Sequence, residues 1–80
     1  MNFFVPGKLY RRQGPSRSFC SDRTYREDIG FLTEGMIFVV IEAYDQLHPD
    51  LSEQWADVKF CCPNGVGWAV MSDLNYTRML

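Results

Sequence analysis

The sequence has a single histidine, only three cysteines and only a small excess of negative charge. Its net charge of −2 argues against general binding of nucleic acids or anionic membranes, because such ligands favour a clustered basic surface. No apolar run approaches the roughly 18–20 residues that a membrane-spanning helix needs. The first residues lack the charged segment and long apolar core of a signal peptide. We therefore expect a soluble cytoplasmic protein without a membrane partner.

The cysteines form an odd set, Cys20, Cys61 and Cys62, in which two are adjacent. Adjacent cysteines rarely bond to each other, so we expect reduced thiols. Zinc coordination by these residues with His48 is the competing interpretation. Its spacing is poor, because structural zinc sites use Cys-x2–4-Cys pairs and neighbouring strand residues point to opposite faces. The prediction is one buried and one surface thiol, with no metal and no cofactor.

Motifs of catalysis are also missing. The chain carries no Gly-x-Ser-x-Gly, no phosphate-binding loop and no His-Glu-x-x-His. A catalytic Cys/His pair is the remaining alternative, because residues far apart in the chain can be neighbours in the fold. Small barrels seldom enclose a deep pocket, however. We predict that the protein is not an enzyme and has no catalytic residues.

What the sequence does contain is apolar and aromatic residues, 46% and 15% of the chain, enough for one small core. Residues 1–80 are therefore predicted to be a single domain. Met36–Ile41 is apolar on both alternating faces and rich in β-branched residues, which predicts a central strand covered on both sides. Trp55–Cys62 alternates, which predicts a strand with Ala56, Val58, Phe60 and Cys62 on one face.

The remaining segments are predicted from turn-forming proline and glycine residues and from polar composition. Lys8–Arg12 is a short first strand, and residues 13–30 are a long polar loop, since about 18 residues show no periodicity. Pro63-Asn64-Gly65 predicts a tight reversal into a strand at Val66–Val70. The other expectations are a polar loop over Asp45–Gln54 with a helical turn after Pro49, a 3-10 turn over Met71–Leu74 and a last strand over Asn75–Leu80.

This order of segments resembles an SH3 or bacterial SH3b domain. Tyr10 falls where such domains carry an aromatic residue at the start of their first long loop, and Trp55 occupies the place of the groove tryptophan. Phe31–Glu42 is similar to the loop end and second strand, and Gly67–Leu74 to the segment leading through the 3-10 turn. The resemblance implies an all-β, SH3-like barrel of about five strands, with a long first loop and a 3-10 turn before the last strand.

The function implied is that of a small non-enzymatic protein-binding module, an adaptor or inhibitor of a larger protein. Its partner would be a protein or peptide, and the chain a monomer or homodimer of bacterial or phage origin. The groove that the resemblance implies contains Tyr10, Trp55 and residues around Met71, and we predict Trp68 as a further binding residue. Exposed tryptophan near tyrosine is a common hot-spot composition, which supports a binding role for the tryptophans. The competing interpretation is that Trp55 caps the barrel and Trp68 packs in its core. The turn carries no proline and lacks the usual tyrosine, which argues against recognition of proline-rich peptides.

Nucleic-acid binding through a small barrel, as in Sm-like, KOW and Tudor-like relatives, is the alternative function. It would need the arginines and aromatic residues on one face, and the negative net charge counts against it. The N-terminal half is locally basic, whereas Glu42–Asp57 is acidic. This polarity predicts recognition of an acidic partner, with ordinary solvated charge as the competing interpretation.

Overall fold

The structure is a computed structural model that describes residues 3–46 and 55–79. In this part the regular elements are strands, with one short 3-10 helix over Asp73–Asn75 and no α-helix, so the all-β prediction is confirmed. The seven strands are β1 (Leu9–Arg12), β2 (Arg17–Cys20), β3 (Asp28–Leu32), β4 (Ile37–Gln46), β5 (Trp55–Cys62), β6 (Gly65–Ser72) and β7 (Tyr76–Met79).

The strands form one antiparallel sheet in the order β3-β2-β6-β5-β4-β1-β7. The sheet curls into a half-barrel, so that its concave face encloses the core and its convex face, here called the outer face, points away from it. The five strands predicted from the sequence are neighbours within this order, and the 3-10 helix precedes the last strand. Residues 3–46 and 55–79 contain seven strands, and a closed five-stranded barrel is not confirmed.

The predicted loop over residues 13–30 is wrong, because it contains β2 and the beginning of β3. Phe19 anchors this hairpin with an exposed fraction of 1%. Two glycines make room for its ring: a Cβ atom on Gly30 would lie 2.6 Å from Phe19 Cζ, and one on Gly67 2.5 Å from Phe19 Cδ2. One buried aromatic residue in a polar segment thus holds a hairpin that hydrophobic periodicity does not reveal.

β4 is covered on its concave face only, so the predicted burial on both faces is wrong. Phe38 and Val40 are buried, but Ile37 and Ile41 are 38% and 40% exposed. A β-bulge lies between Val40 and Glu42, at the point where β4 continues to Gln46. Among the described residues no second layer covers the outer face here, so the apolar residues on that side stay in contact with solvent.

β5 begins and ends as predicted, and its inward residues Ala56, Val58, Phe60 and Cys62 are buried. The turn at Pro63 and Asn64 joins it to β6. The hairpin is also tied to β3, because Asn64 Nδ2 donates to the carbonyl oxygen of Phe31 over 2.9 Å. The predicted helical turn after Pro49, and His48, lie outside the described residues.

A chain of aromatic rings fills the concave face. Phe4 lies 5.3 Å from Tyr10, Tyr10 5.9 Å from Phe38, Phe38 5.2 Å from Phe60, and Phe60 5.2 Å from Phe19, measured between ring centroids. These rings join the N-terminal segment, β1, β4, β5 and β2 in one core. Aromatic pairs at such spacings add roughly 0.5–1.5 kcal/mol each beyond the burial of their area.

Candidate protein-binding surface

Tyr10 and Met71 were predicted to line a surface groove, and the structure corrects this placement. Both side chains are 0% exposed. Tyr10 lies opposite Phe38 in the register of β1 and β4, so the two side chains share the concave face. Its hydroxyl group donates to the carbonyl oxygen of Phe3 and accepts from the amide of Val5, each over 2.7 Å. In this fold Tyr10 is a core residue that fastens the N-terminal segment.

The two tryptophans take different positions on the outward side of their strands. Trp55 is half-buried at the start of β5, and its Nε1 atom is buried without a hydrogen-bond partner among the described residues. Trp68 on β6 is only 9% exposed, because the guanidinium group of Arg23 lies over its ring. The structure does not bring Trp55 together with Tyr10 in a groove, and a binding role for Trp55 or Trp68 stays a prediction.

Asp57 is the centre of a polar and aromatic cluster on the outer face. Its Oδ2 atom accepts a hydrogen bond from Arg23 Nη2 over 2.9 Å. Its Oδ1 atom accepts from the Tyr25 hydroxyl over 2.7 Å and from Gln46 Nε2 over 3.0 Å. Arg23 and Tyr25 belong to the segment between β2 and β3, so these bonds hold that segment against β5.

The same arginine lies over two aromatic rings. Its guanidinium carbon is 4.5 Å from the centroid of Tyr44 and 5.4 Å from that of Trp68. The two rings, on β4 and β6, are 6.2 Å apart and inclined by 19°, a stacked arrangement that we call the aromatic platform. A cation over such faces is attracted by their negative quadrupole. We call Asp57, Arg23, Tyr25, Tyr44, Gln46 and Trp68 the Asp57 cluster.

The electrostatics of the cluster favour the ionised carboxylate. Burial raises the pKa of Asp57, but hydrogen bonds from Tyr25 and Arg23 and the charge of Arg23 outweigh it, so the pKa lies below its ordinary value. The hydrogen bond to Asp57 in turn raises the pKa of Arg23. Burial, followed by the hydrogen bond to Asp57, raises the pKa of Tyr25. The cluster therefore contains an ion pair and a neutral phenol at physiological pH.

A second feature of the outer face is an apolar row that crosses five neighbouring strands. Met79 pairs with Leu9, Leu9 with Val39, Val39 with Cys61, and Cys61 with Val66. Directly paired residues share a face, so these five side chains form a continuous line. Leu9 is 46% and Val66 48% exposed, and Cys61 is exposed as well. We call this set the apolar row.

Charges at the border of the apolar row are unevenly balanced. Glu42 and Lys59 lie 3.8 Å apart and compensate each other. Arg11 and Lys8 are exposed on and beside β1 and form no ion pair within the described residues. Arg11 lies opposite Ile37 in the register, two positions from Leu9, and so on the same face as the row. The β1 side of the row is therefore positively charged.

The three thiols are free, with Cys61 exposed and Cys62 buried, as the alternation of β5 predicted. Cys20 is buried and donates to Asp28 Oδ1 over 3.2 Å. Burial, followed by that hydrogen bond, raises the pKa of the Cys20 thiol, which keeps it protonated and weakly nucleophilic. Within residues 3–46 and 55–79, no three side chains of the types that ligate metals lie close enough to hold an ion.

An open depression of about 440 Å³ lies beside this thiol. Its lining combines the thiol and the Asp28 carboxylate with a tyrosine, small apolar residues and one arginine. The carboxylate in this lining accepts a hydrogen bond from the thiol, which stabilises the protonated form of the thiol. The lining residues are Arg17, Ser18, Cys20, Tyr25, Asp28, Ala69 and Val70.

Comparison of the chain with protein-family models, with curated proteins and with solved structures gave no match. In the described residues, no helix has the length and apolar character needed to cross a membrane. No known protein therefore supports the resemblance to SH3 domains, and function is inferred from the surface.

The alternation along β5 predicts that Asp57 and Cys61 lie on the face opposite Ala56, Val58 and Phe60. It does not assign them to a site. Asp57 meets Arg23 across 34 positions of sequence, a pairing that no local pattern shows. The apolar row combines one residue from each of five strands, and only the strand register puts them in line. The alternation of β5 predicts that Cys61 points outward. Predicting that the other four residues of the apolar row lie in line with it requires the strand register.

Proposed function

We propose that this chain is a small non-enzymatic protein-binding module, an adaptor or inhibitor that binds a larger protein through the outer face of its sheet. The apolar row is the observation that carries the proposal. Of the five aligned apolar side chains, Leu9, Cys61 and Val66 are exposed and the other two are half-buried. Ile37 and Ile41 beside them are exposed as well, and no layer covers this face in the described part of the chain. Contiguous apolar surface of this kind marks interaction sites, whereas scattered apolar residues do not.

The charge at its border indicates the chemistry of the partner. Arg11 and Lys8 lie beside the row without a described ion pair, while Glu42 and Lys59 neutralise each other. A partner that fits this face has an apolar strip with carboxylates next to the end that meets β1. Such complementarity accelerates the encounter and fixes the orientation, while apolar burial supplies most of the affinity.

The SH3-like interpretation of the fold belongs to this proposal. It is supported by the five predicted strands, which are neighbours in the sheet, and by the 3-10 helix before the last strand. The hairpin β2–β3 would then be an ordered form of the long first loop.

The nucleic-acid alternative receives less support from the described residues. It needs arginines free on one face, but Arg12 is 6% exposed and Arg23 is paired with Asp57. Arg12 donates to the carbonyl oxygen of Pro15 over 2.9 Å and lies over the ring of Tyr76. Its guanidinium group is therefore used in contacts within the fold. Lys59 is paired with Glu42, so phosphate binding would depend on the other basic residues, Lys8, Arg11, Arg17, Arg26 and Arg78.

The test compares Leu9→Asp with Leu74→Asp. Leu9 lies in the apolar row, whereas Leu74 is 71% exposed on the 3-10 helix and outside the row, which makes it a matched control. A partner captured from the native cell would be identified and its affinity measured for each variant, with circular dichroism to verify folding. We expect Leu9→Asp to weaken binding at least tenfold, or by about 1.4 kcal/mol.

Equal affinity of the two variants would refute the proposal. Sedimentation over a range of protein concentrations should accompany the test. A dimer that is lost in Leu9→Asp and kept in Leu74→Asp would identify the partner as a second copy of the chain.

A further inference from the structure

The geometry of the Asp57 cluster points to a second binding site on the outer face. We propose that Asp57, Tyr44 and Trp68 form a site for the guanidinium group of an arginine side chain from a partner protein, and that Arg23 occupies this site in the free chain. Only the source of that arginine rests on the proposed function. The binding of a guanidinium group to the site is a separate claim.

The carboxylate of Asp57 is prepared for a cation independently of Arg23. Its Oδ1 atom takes both neutral donors, the Tyr25 hydroxyl and Gln46 Nε2, whereas its Oδ2 atom takes only Arg23 Nη2. The side chain of Asp57 is 13% exposed, so little water reaches it. When Arg23 leaves, the two neutral donors still orient the carboxylate, and Oδ2 faces a new cation in a partly dry environment, where the attraction is stronger than in water.

The aromatic platform selects the shape of that cation. The guanidinium carbon lies 4.5 Å above Tyr44, a distance at which a flat group stacks on a ring. Arginine combines stacking with directed hydrogen bonds to a carboxylate, whereas an ammonium group is a compact and strongly hydrated charge. The Tyr44 hydroxyl donates to Glu42 Oε1 over 2.8 Å, which fixes the ring and places a second carboxylate nearby.

Arg23 is suited to leave the site. Its side chain is 48% exposed, and it lies in the exposed segment between β2 and β3, outside the strands of the sheet. A guanidinium group from the partner makes the same contacts as the group of Arg23 that it replaces. The exchange itself therefore adds little to the affinity for the partner. Net affinity then comes from the apolar row, and the cation site contributes selectivity for partners that carry an arginine at the right distance.

The first experiment uses small probes and no partner. In a Trp55→Phe background, Trp68 fluorescence reports binding of ethylguanidinium, with ethylammonium as the comparison. We expect Arg23→Ala to bind ethylguanidinium saturably and at least tenfold more tightly than the parent chain does. The same variant should bind ethylguanidinium at least tenfold more tightly than ethylammonium. Adding Asp57→Asn should reduce that affinity at least tenfold. If Arg23→Ala fails to fold, Arg23→Gln keeps part of the aliphatic stem and takes its place.

Equal binding to the parent chain and to Arg23→Ala, or no effect of Asp57→Asn, would overturn the site and leave Arg23 as a structural latch. Leu9→Asp should leave the binding of the probe unchanged, so a failure of the apolar row is distinguished from a failure of this site. With a partner in hand, Arg23→Ala should increase its affinity, because the internal competitor is gone. An unchanged or reduced affinity would show that the partner supplies no arginine to Asp57.

Discussion

Replacing Tyr10 by phenylalanine separates a structural role of this residue from a role in binding. The substitution keeps the ring, which is 0% exposed and lies 5.9 Å from Phe38, and removes only the hydroxyl group. That group donates to the carbonyl oxygen of Phe3 and accepts from the amide of Val5, each over 2.7 Å. It is the side-chain link that ties residues 3–5 to β1.

The expected cost follows from the two backbone groups that lose their partner. An unsatisfied buried polar group costs about 1–3 kcal/mol. Phe3 and Val5 are half-buried, so water replaces part of each bond and the lower end of that range applies to each. Their sum is a loss of about 2 kcal/mol in the free energy of unfolding, a large share of the ~4–12 kcal/mol expected for a domain of this size.

Urea denaturation followed by circular dichroism measures this loss. With a slope of about 1 kcal/mol/M, the midpoint should fall by about 2 M. Tyr44→Phe is the control, because its hydroxyl group bonds only to the exposed Glu42, and its stability should change by less than about 0.5 kcal/mol. Partner binding by Tyr10→Phe should match the parent chain wherever the variant is folded. Unchanged stability together with weaker binding would refute the structural role and restore Tyr10 as a binding residue.

Three further predictions test packing and charge. Gly67→Ala should destabilise the fold by about 1–3 kcal/mol in the same denaturation assay, because a Cβ atom would lie 2.6 Å from the backbone oxygen of Cys20. A variant as stable as the parent would show that β2 can move away from β6. The folded-state pKa of Asp57 is depressed, so its contribution to stability is present above the unfolded pKa of about 3.9 and is lost as the pH falls through the folded value. Asp57→Asn should flatten this acid limb of a stability-against-pH curve, and an unchanged limb would exclude Asp57 as its cause. Cys62→Ala should cost about 1 kcal/mol and Cys61→Ala less than about 0.5 kcal/mol, because Cys62 is buried and Cys61 is exposed, and equal losses would contradict that difference.

The strands with strong local signals were found from the sequence. β5 begins and ends at the predicted residues, since the alternation of Ala56, Val58 and Phe60 matches the period of a strand with one buried face. The turn after it was found because Pro63, Asn64 and Gly65 favour a tight reversal and carry no competing signal. The all-β class followed from these segments, because each is too short or too β-branched to be a helix.

The two-strand hairpin at residues 17–32 was missed, since Phe19 is the one large apolar residue of β2, and the room for its ring comes in part from Gly67 in a distant strand. Local composition cannot report such a pairing. The same limit applies to Tyr10, whose spacing fits a surface groove and whose burial is decided by its position opposite Phe38 in the sheet.

Local sequence patterns are enough to predict the class of the fold, the five main strands and the facing of residues along β5, because these depend on periods of two residues and on turn chemistry. The two candidate sites, in contrast, arise only from tertiary contacts. The apolar row exists because the register aligns residues from five strands, and the Asp57 cluster exists because a hairpin brings Arg23 onto β5 from 34 positions away. Both depend on contacts between segments far apart in the chain, and no local pattern encodes the distance between them.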